Sequence, residues 1–121
     1  MTPRDGFTPH FRKSAVTDPW EPLFSRVGEG CVEIGFEIGG QHLNSRGLLH
    51  GGVIAALADN AMGLSCVAAM GADATGVVTV SLAMDYVAAA AAGAWLQITP
   101  RVLKAKGAIV FADALVCADE A

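Results

Sequence analysis

The sequence predicts an α+β fold, an antiparallel β-sheet wrapped around one long central helix. Two observations carry that prediction. Residues 51–70 form a proline-free run with almost no polarity, read as a helix buried on every side. Residues 31–38 alternate with period two, Val32, Ile34, Phe36 and Ile38 against Cys31, Glu33, Gly35 and Glu37. That alternation marks a strand with one face on a core and the other in water.

In chain order, residues 1–20 carry Pro3, Pro9 and Pro19 and no sustained period, so they read as an irregular arm with one short helical turn, ending at "DPWEP". Residues 21–121 then form a single domain. "LFSRV", the turn "GEG" and "CVEIGFEI" predict a β-hairpin. "GGQHLNSRG" is rich in turn formers and predicts a loop holding His42. The helix follows, with Asn60 on its surface, and the "GADATG" break ends it. Three strand-like runs close the chain: "VVTVSLAMDYV", "AWLQITPRVLKA" and "AIVFADALVCA". Pro100 in the second implies a bulge or an edge, because it cannot donate to a ladder. "AAAAA" at 88–92 is too short for a helix of its own and reads as a connection.

A chain of 121 residues is one domain with a real core. Hydrophobic residues make up 53% and charged residues 17%, which favours burial against a partner subunit. A net charge of −4 argues against nucleic-acid binding, which needs a basic surface. Cys31, Cys66 and Cys117 form no CxxC and fit a reducing compartment. The first residues lack the apolar core of a signal peptide. Asp59 and Asn60 inside the apolar run favour a core helix over a membrane span. The expected location is the cytoplasm.

Asp59 is the residue that needs explaining. A lone carboxylate in an apolar helix costs several kcal/mol unless it is paired or shifts its pKa. It is either satisfied by neighbouring backbone N–H groups or kept in a cleft as base or nucleophile. His50-Gly51-Gly52, just before the helix, supplies a complementary half. The first helical turn has unsatisfied N–H groups and partial positive charge, and glycines there let a carbonyl oxygen approach. With Asn44 and His50 nearby, the pattern outlines an acyl-transfer site.

Asn44, the His50-Gly51-Gly52 step and Asp59-Asn60-Ala61-Met62-Gly63 together resemble the hotdog-fold acyl-CoA thioesterases, specifically the phenylacetate-pathway (PaaI-like) group. The resemblance covers about residues 20–118. It implies that Asn44 orients the attacking water or the thioester, and that Gly51 offers its N–H to the thioester oxygen. Asp59 would be general base or nucleophile, and His50 would support the site. A strand hydroxyl seven residues before a tyrosine completes some members' sites, which here is Thr79 before Tyr86. Members continue past such an "ADEA" turn into one more strand inside the sheet, and that final strand is expected to be missing here. The resemblance implies no cofactor.

Other chemistry finds little support. "GLSCV" lacks the second glycine of a nucleophile elbow, and Cys66 reads as core. His10, His42 and His50 have no metal-ligand spacing. No basic residue occurs between Arg46 and Arg101, and then Arg101, Lys104 and Lys106 arrive together. They are either a solvated strand end or a seat for the phosphates of coenzyme A. The expected partners are an acyl-CoA and a second copy of the chain, in a homodimer with shared sites or a tetramer built from it. Neither nucleic acid nor membrane is expected. The alternatives are a non-catalytic acyl-CoA-binding domain, which would not need Asp59, and a dehydratase or hydratase, whose His/acid order differs. The shared-site expectation rests on length: eight helical residues from Gly51 to Asp59 rise roughly 12 Å.

Overall fold

The structure, a computed structural model, describes residues 3–71 and 74–119. Five antiparallel strands lie in chain order, β1 (Thr8–Pro9), β2 (Phe24–Gly28), β3 (Cys31–Glu37), β4 (Trp95–Lys104) and β5 (Phe111–Asp119), with α1 (Gly51–Met70) inserted between β3 and β4. The hairpin is in the expected place, β2 and β3 pairing from Phe24 opposite Gly35 to Gly28 opposite Cys31.

The alternation in β3 does what its period demands. Ile34, Phe36 and Ile38 face α1 and meet Val53, Leu57, Ala58 and Ala61 in the main core, with Leu96 and Ile98 from β4. Leu57 is wholly buried, and truncating such a residue to alanine costs about 2–5 kcal/mol. Ser65, also wholly buried, accepts from Val32 N–H at 2.9 Å and donates to the Ala61 carbonyl at 2.8 Å. Its hydroxyl therefore bolts α1 to the start of β3. Cys66 is buried too, and burial pushes its thiol pKa up, which makes it a core residue.

The opposite face of the sheet carries a polar cluster on β2, β3 and β4 and an aromatic cluster at one end. Glu33 on β3 accepts from Arg26 on β2 and from Gln97 and Thr99 on β4. In the aromatic cluster Phe7 meets Trp95 edge-on, with centroids 5.3 Å apart, beside Phe24. The N-terminal arm thus wraps the β2 edge. Phe7 packs on the outer face, Thr8 and Pro9 pair with β2, and His10 reaches Asn60 on the helix side. The short helical turn expected in the arm is Asp18–Trp20.

Three local expectations need correction. His42 is not a loop-surface residue. It is wholly buried in a single 3-10 turn (Gly40–His42), accepting from Gly39 N–H at 3.0 Å and bonded through Nε2 to the Trp20 carbonyl at 2.7 Å. With both ring nitrogens satisfied, burial costs it little. Asn60 is not a bare helix-surface residue either, since its Oδ1 lies 2.9 Å from His10 Nε2.

The third correction concerns residues 77–87, expected as a strand. They are not a strand of the sheet, whose ladder ends at β5. A strand exists only through a partner's ladder, and among the described residues none pairs with this segment. It runs antiparallel along α1 instead, Val77 beside Gly63, Thr79 at Asp59 and Tyr86 at Gly51. A bend at Val80 breaks the alternation, so Val78, Val80 and Val87 are exposed while Met84 packs on the core.

Pro100 stands in β4 just beyond its last β3 partner, Ile98 opposite Ile34, and the bulge follows between Val102 and Lys104. The alanine run makes the expected connection, Leu49 N–H donating to the Ala90 carbonyl. The helix expected to be covered all round is covered only in part: 33% of its apolar window is buried in this chain.

Candidate active site

The start of α1 leaves one backbone donor without work. Of its first four N–H groups, Gly52 donates to His50 Nδ1 at 2.8 Å, and Val53 and Ile54 donate to the His50 carbonyl at 3.1 and 3.3 Å. Gly51 N–H has no acceptor among the described residues. His50 is the N-cap, and its Nδ1 must be unprotonated to accept, so the proton of the neutral ring sits on Nε2.

Asn44 is fixed by the same economy. Its Oδ1 accepts from Arg46 N–H at 2.9 Å and Leu48 N–H at 3.1 Å. Two donors converging on one atom identify it as the oxygen, which leaves the amide NH2 as a donor with no acceptor among the described residues. The loop behind it is tight, with Asn44 N–H donating to the Leu48 carbonyl at 2.7 Å and Leu43 bridging Leu49.

Asp59 is half-buried on the helix flank, and Thr79 Oγ1 donates to its Oδ1 at 2.5 Å. Oδ2 takes no hydrogen bond from any described residue. A carboxylate with one oxygen anchored and one unspent can take a proton from water or attack a carbonyl carbon. The structure thus brings together Asp59 with Thr79, and His50 with Gly51. Asn44 stands six residues before His50, in the loop whose 3-10 turn bonds to it through His50 N–H and the His42 carbonyl.

The basic residues lie elsewhere. Arg101 points to the outer face, where it binds Asp113 through two hydrogen bonds of 3.1 and 2.6 Å. Lys104 ends β4, and Lys106 sits in the turn to β5. Neither makes an ion pair among the described residues. No group of three His, Cys, Asp or Glu side chains able to hold a metal occurs among the described residues.

One residue went unread in the sequence. Tyr86 served only as a landmark for Thr79, yet its hydroxyl donates to the Gly51 carbonyl at 2.6 Å. The signal available was its spacing, since a segment that places Thr79 at Asp59 must pass the start of the helix a few residues later.

Over residues 46–121 the chain matches the family described as Thioesterase superfamily. A Pseudomonas aeruginosa protein named as an esterase is 33% identical over 115 residues, covering 94% of this chain and 85% of that protein. A mutant of the phenylacetic acid degradation protein PaaI from Thermus thermophilus is 25% identical, covers 79% of this chain and 80% of that one, and superposes with a TM-score of 0.70. A Streptococcus mutans protein solved with acetyl-CoA bound shares the fold at 24% identity, covering 90% of this chain and 82% of that one with a TM-score of 0.73.

Proposed function

Since this chain belongs to the thioesterase superfamily and is a thioester hydrolase of hotdog fold, we propose that it cleaves a small aryl- or medium-chain acyl-CoA to the free acid and coenzyme A. The observation that carries the reading is the N–H at the start of α1, on Gly51, that has no acceptor among the described residues. A thioester oxygen accepting from it gains negative charge as the carbonyl carbon is attacked, and a fixed donor stabilises that charge without reorganising. Asp59 is the base or nucleophile. As base it takes a proton from water while the water oxygen bonds to the acyl carbon. The C–S bond then breaks, and the coenzyme A sulfur leaves and is protonated. The Asn44 amide NH2 orients the water or the thioester, Thr79 aims the carboxylate, and His50 holds the helix start.

One chain cannot close this site. Gly51 and Asp59 are separated by roughly 12 Å along the helix, whereas base, water and oxyanion donor must gather within about 3 Å of one centre. Two antiparallel helices about a two-fold axis bring Asp59 of one copy to Gly51 and Asn44 of the other. Residues of α1 that stay only half-buried in the single chain, Ile54, Met62 and Leu64 among them, support a partner there. For the coenzyme A phosphates we assign Lys104 and Lys106, with Arg101 already engaged by Asp113. Three free cysteines fit a reducing, cytoplasmic setting.

The test is thiol release from acyl-CoA by mixed dimers. Asn44→Ala and Asp59→Ala, each inactive alone, are unfolded together and refolded as a mixture. A mixed dimer carries both lesions in one site and none in the other. Statistical pairing makes about half the dimers mixed, so activity recovers to roughly a quarter of wild type. No recovery, with mixed dimers shown to have formed, places both residues in a single-chain site and ends the shared-site reading.

A further inference from the structure

We propose that Tyr86 is a positioning residue for the oxyanion donor, acting with His50 to clamp the Gly51–Gly52 peptide from both ends. The inference rests on the reading that Gly51 N–H polarises the thioester. A peptide group is a rigid plane, and fixing its oxygen and its hydrogen fixes its orientation. Here Tyr86 holds the oxygen, its hydroxyl donating to Gly51 C=O at 2.6 Å, and His50 Nδ1 holds the hydrogen of Gly52 N–H at 2.8 Å. The Gly51 carbonyl has two lone pairs, one for its helical partner and one for Tyr86.

Both glycines are explained by this clamp. A Cβ on Gly51 would lie 3.3 Å from ring carbons of Tyr86, and a Cβ on Gly52 would lie 2.9 Å from the His50 ring. Each glycine makes room for one clamping side chain. Glycine is also the least restrained residue in φ and ψ, so two at a helix start would leave its first turn loose. The clamp removes that freedom and directs the remaining donor, Gly51 N–H, outward. The preceding peptide is held as well, since the His50 carbonyl accepts from Val53 and Ile54.

The clamp also gives the unpaired segment a purpose. One stretch touches both halves of the proposed chemistry, Thr79 at Asp59 and Tyr86 at Gly51. In a two-chain site, Tyr86 backs the oxyanion half of one centre while Thr79 of the same segment backs the carboxylate half of the other.

The experiment is Tyr86→Phe, which removes the hydroxyl and keeps the ring. The expected result is a fall in kcat of about three- to ten-fold with KM changed by less than about two-fold, well short of the 10²–10³ that losing an oxyanion donor costs. The amide proton of Gly52 should exchange faster in the variant, a readout that needs no substrate. A kcat equal to wild type overturns the positioning role, and unchanged exchange at Gly52 overturns the clamp. A protein that releases thiol from no acyl-CoA, yet shows faster Gly52 exchange in the variant, retains the clamp and loses the thioesterase reading it serves.

Discussion

Asp59 and Asn60 are neighbours in a largely apolar helix, and each holds a different flanking segment. Asn60 meets His10 of the N-terminal arm, a side chain only 1% exposed. Asp59 meets Thr79 of the extended segment and keeps one oxygen unspent. Successive residues on a helix point about 100° apart, so one polar pair serves two environments. A neutral amide against a buried imidazole closes the structure on one flank. An ionisable group with free capacity, half-buried beside the extended segment, can work on a substrate.

The largest effect that tests this contrast comes from Asp59→Asn. The amide keeps an oxygen for Thr79 but cannot take a proton, so kcat should fall by about 10²–10⁴ with little change in Tm. Near-normal turnover would give Asp59 the same structural role as its neighbour. Asn60→Ala should do the reverse. It leaves the buried His10 ring without its one side-chain partner, and His10 Nδ1 already lacks one. An unsatisfied buried polar group costs about 1–3 kcal/mol, read as a Tm lowered by several degrees with kcat within about two-fold of wild type. A large loss of kcat at unchanged Tm would instead draw Asn60 into the site.

The sequence made the two flanks legible to different degrees. Period-two alternation revealed β3 and the apolar run revealed α1, because both elements bury a face that their own residues define. The special status of Asp59 was legible because charge in an apolar helix needs a partner. Residues 77–87 were misleading, since alternation records the propensity for a strand but not whether a ladder partner lies alongside. Tyr86 was only half legible for a related reason: its spacing from Thr79 stands in the sequence, but its bond to Gly51 depends on how the segment runs along the helix. His42 and His10 stood in segments with no sustained apolar period, so no pattern in sequence announced their burial.

Those two histidines give the smallest effect and the sharpest test of the closed flank. Burial lowers the pKa of His10 below its ordinary value, outweighing the hydrogen bond to Asn60 and the charge of Glu21, with Lys13 adding slightly to the lowering. Burial likewise lowers His42, against the opposing bond to the Trp20 carbonyl. In the unfolded chain both titrate near 6.5. As pH falls through 6.5 the unfolded state therefore binds protons first, and stability drops until the folded-state values are passed. Above about pH 7.5 these groups contribute no slope. Glu33, whose carboxylate is held low by Arg26 and Thr99 against the opposing effect of burial, stays ionised in both states from pH 7.5 to 5.5 and does not confuse the measurement. Tm should thus be level above about pH 7.5, begin to fall as pH nears 6.5 and decline most steeply toward 5.5. His10→Gln, which keeps an amide for Asn60 but cannot titrate, should make that decline shallower without abolishing it, because His42 still titrates. An undiminished slope in His10→Gln would mean that the arm is not closed on α1 in solution, and Asn60 would then lose the partner that distinguishes it from Asp59.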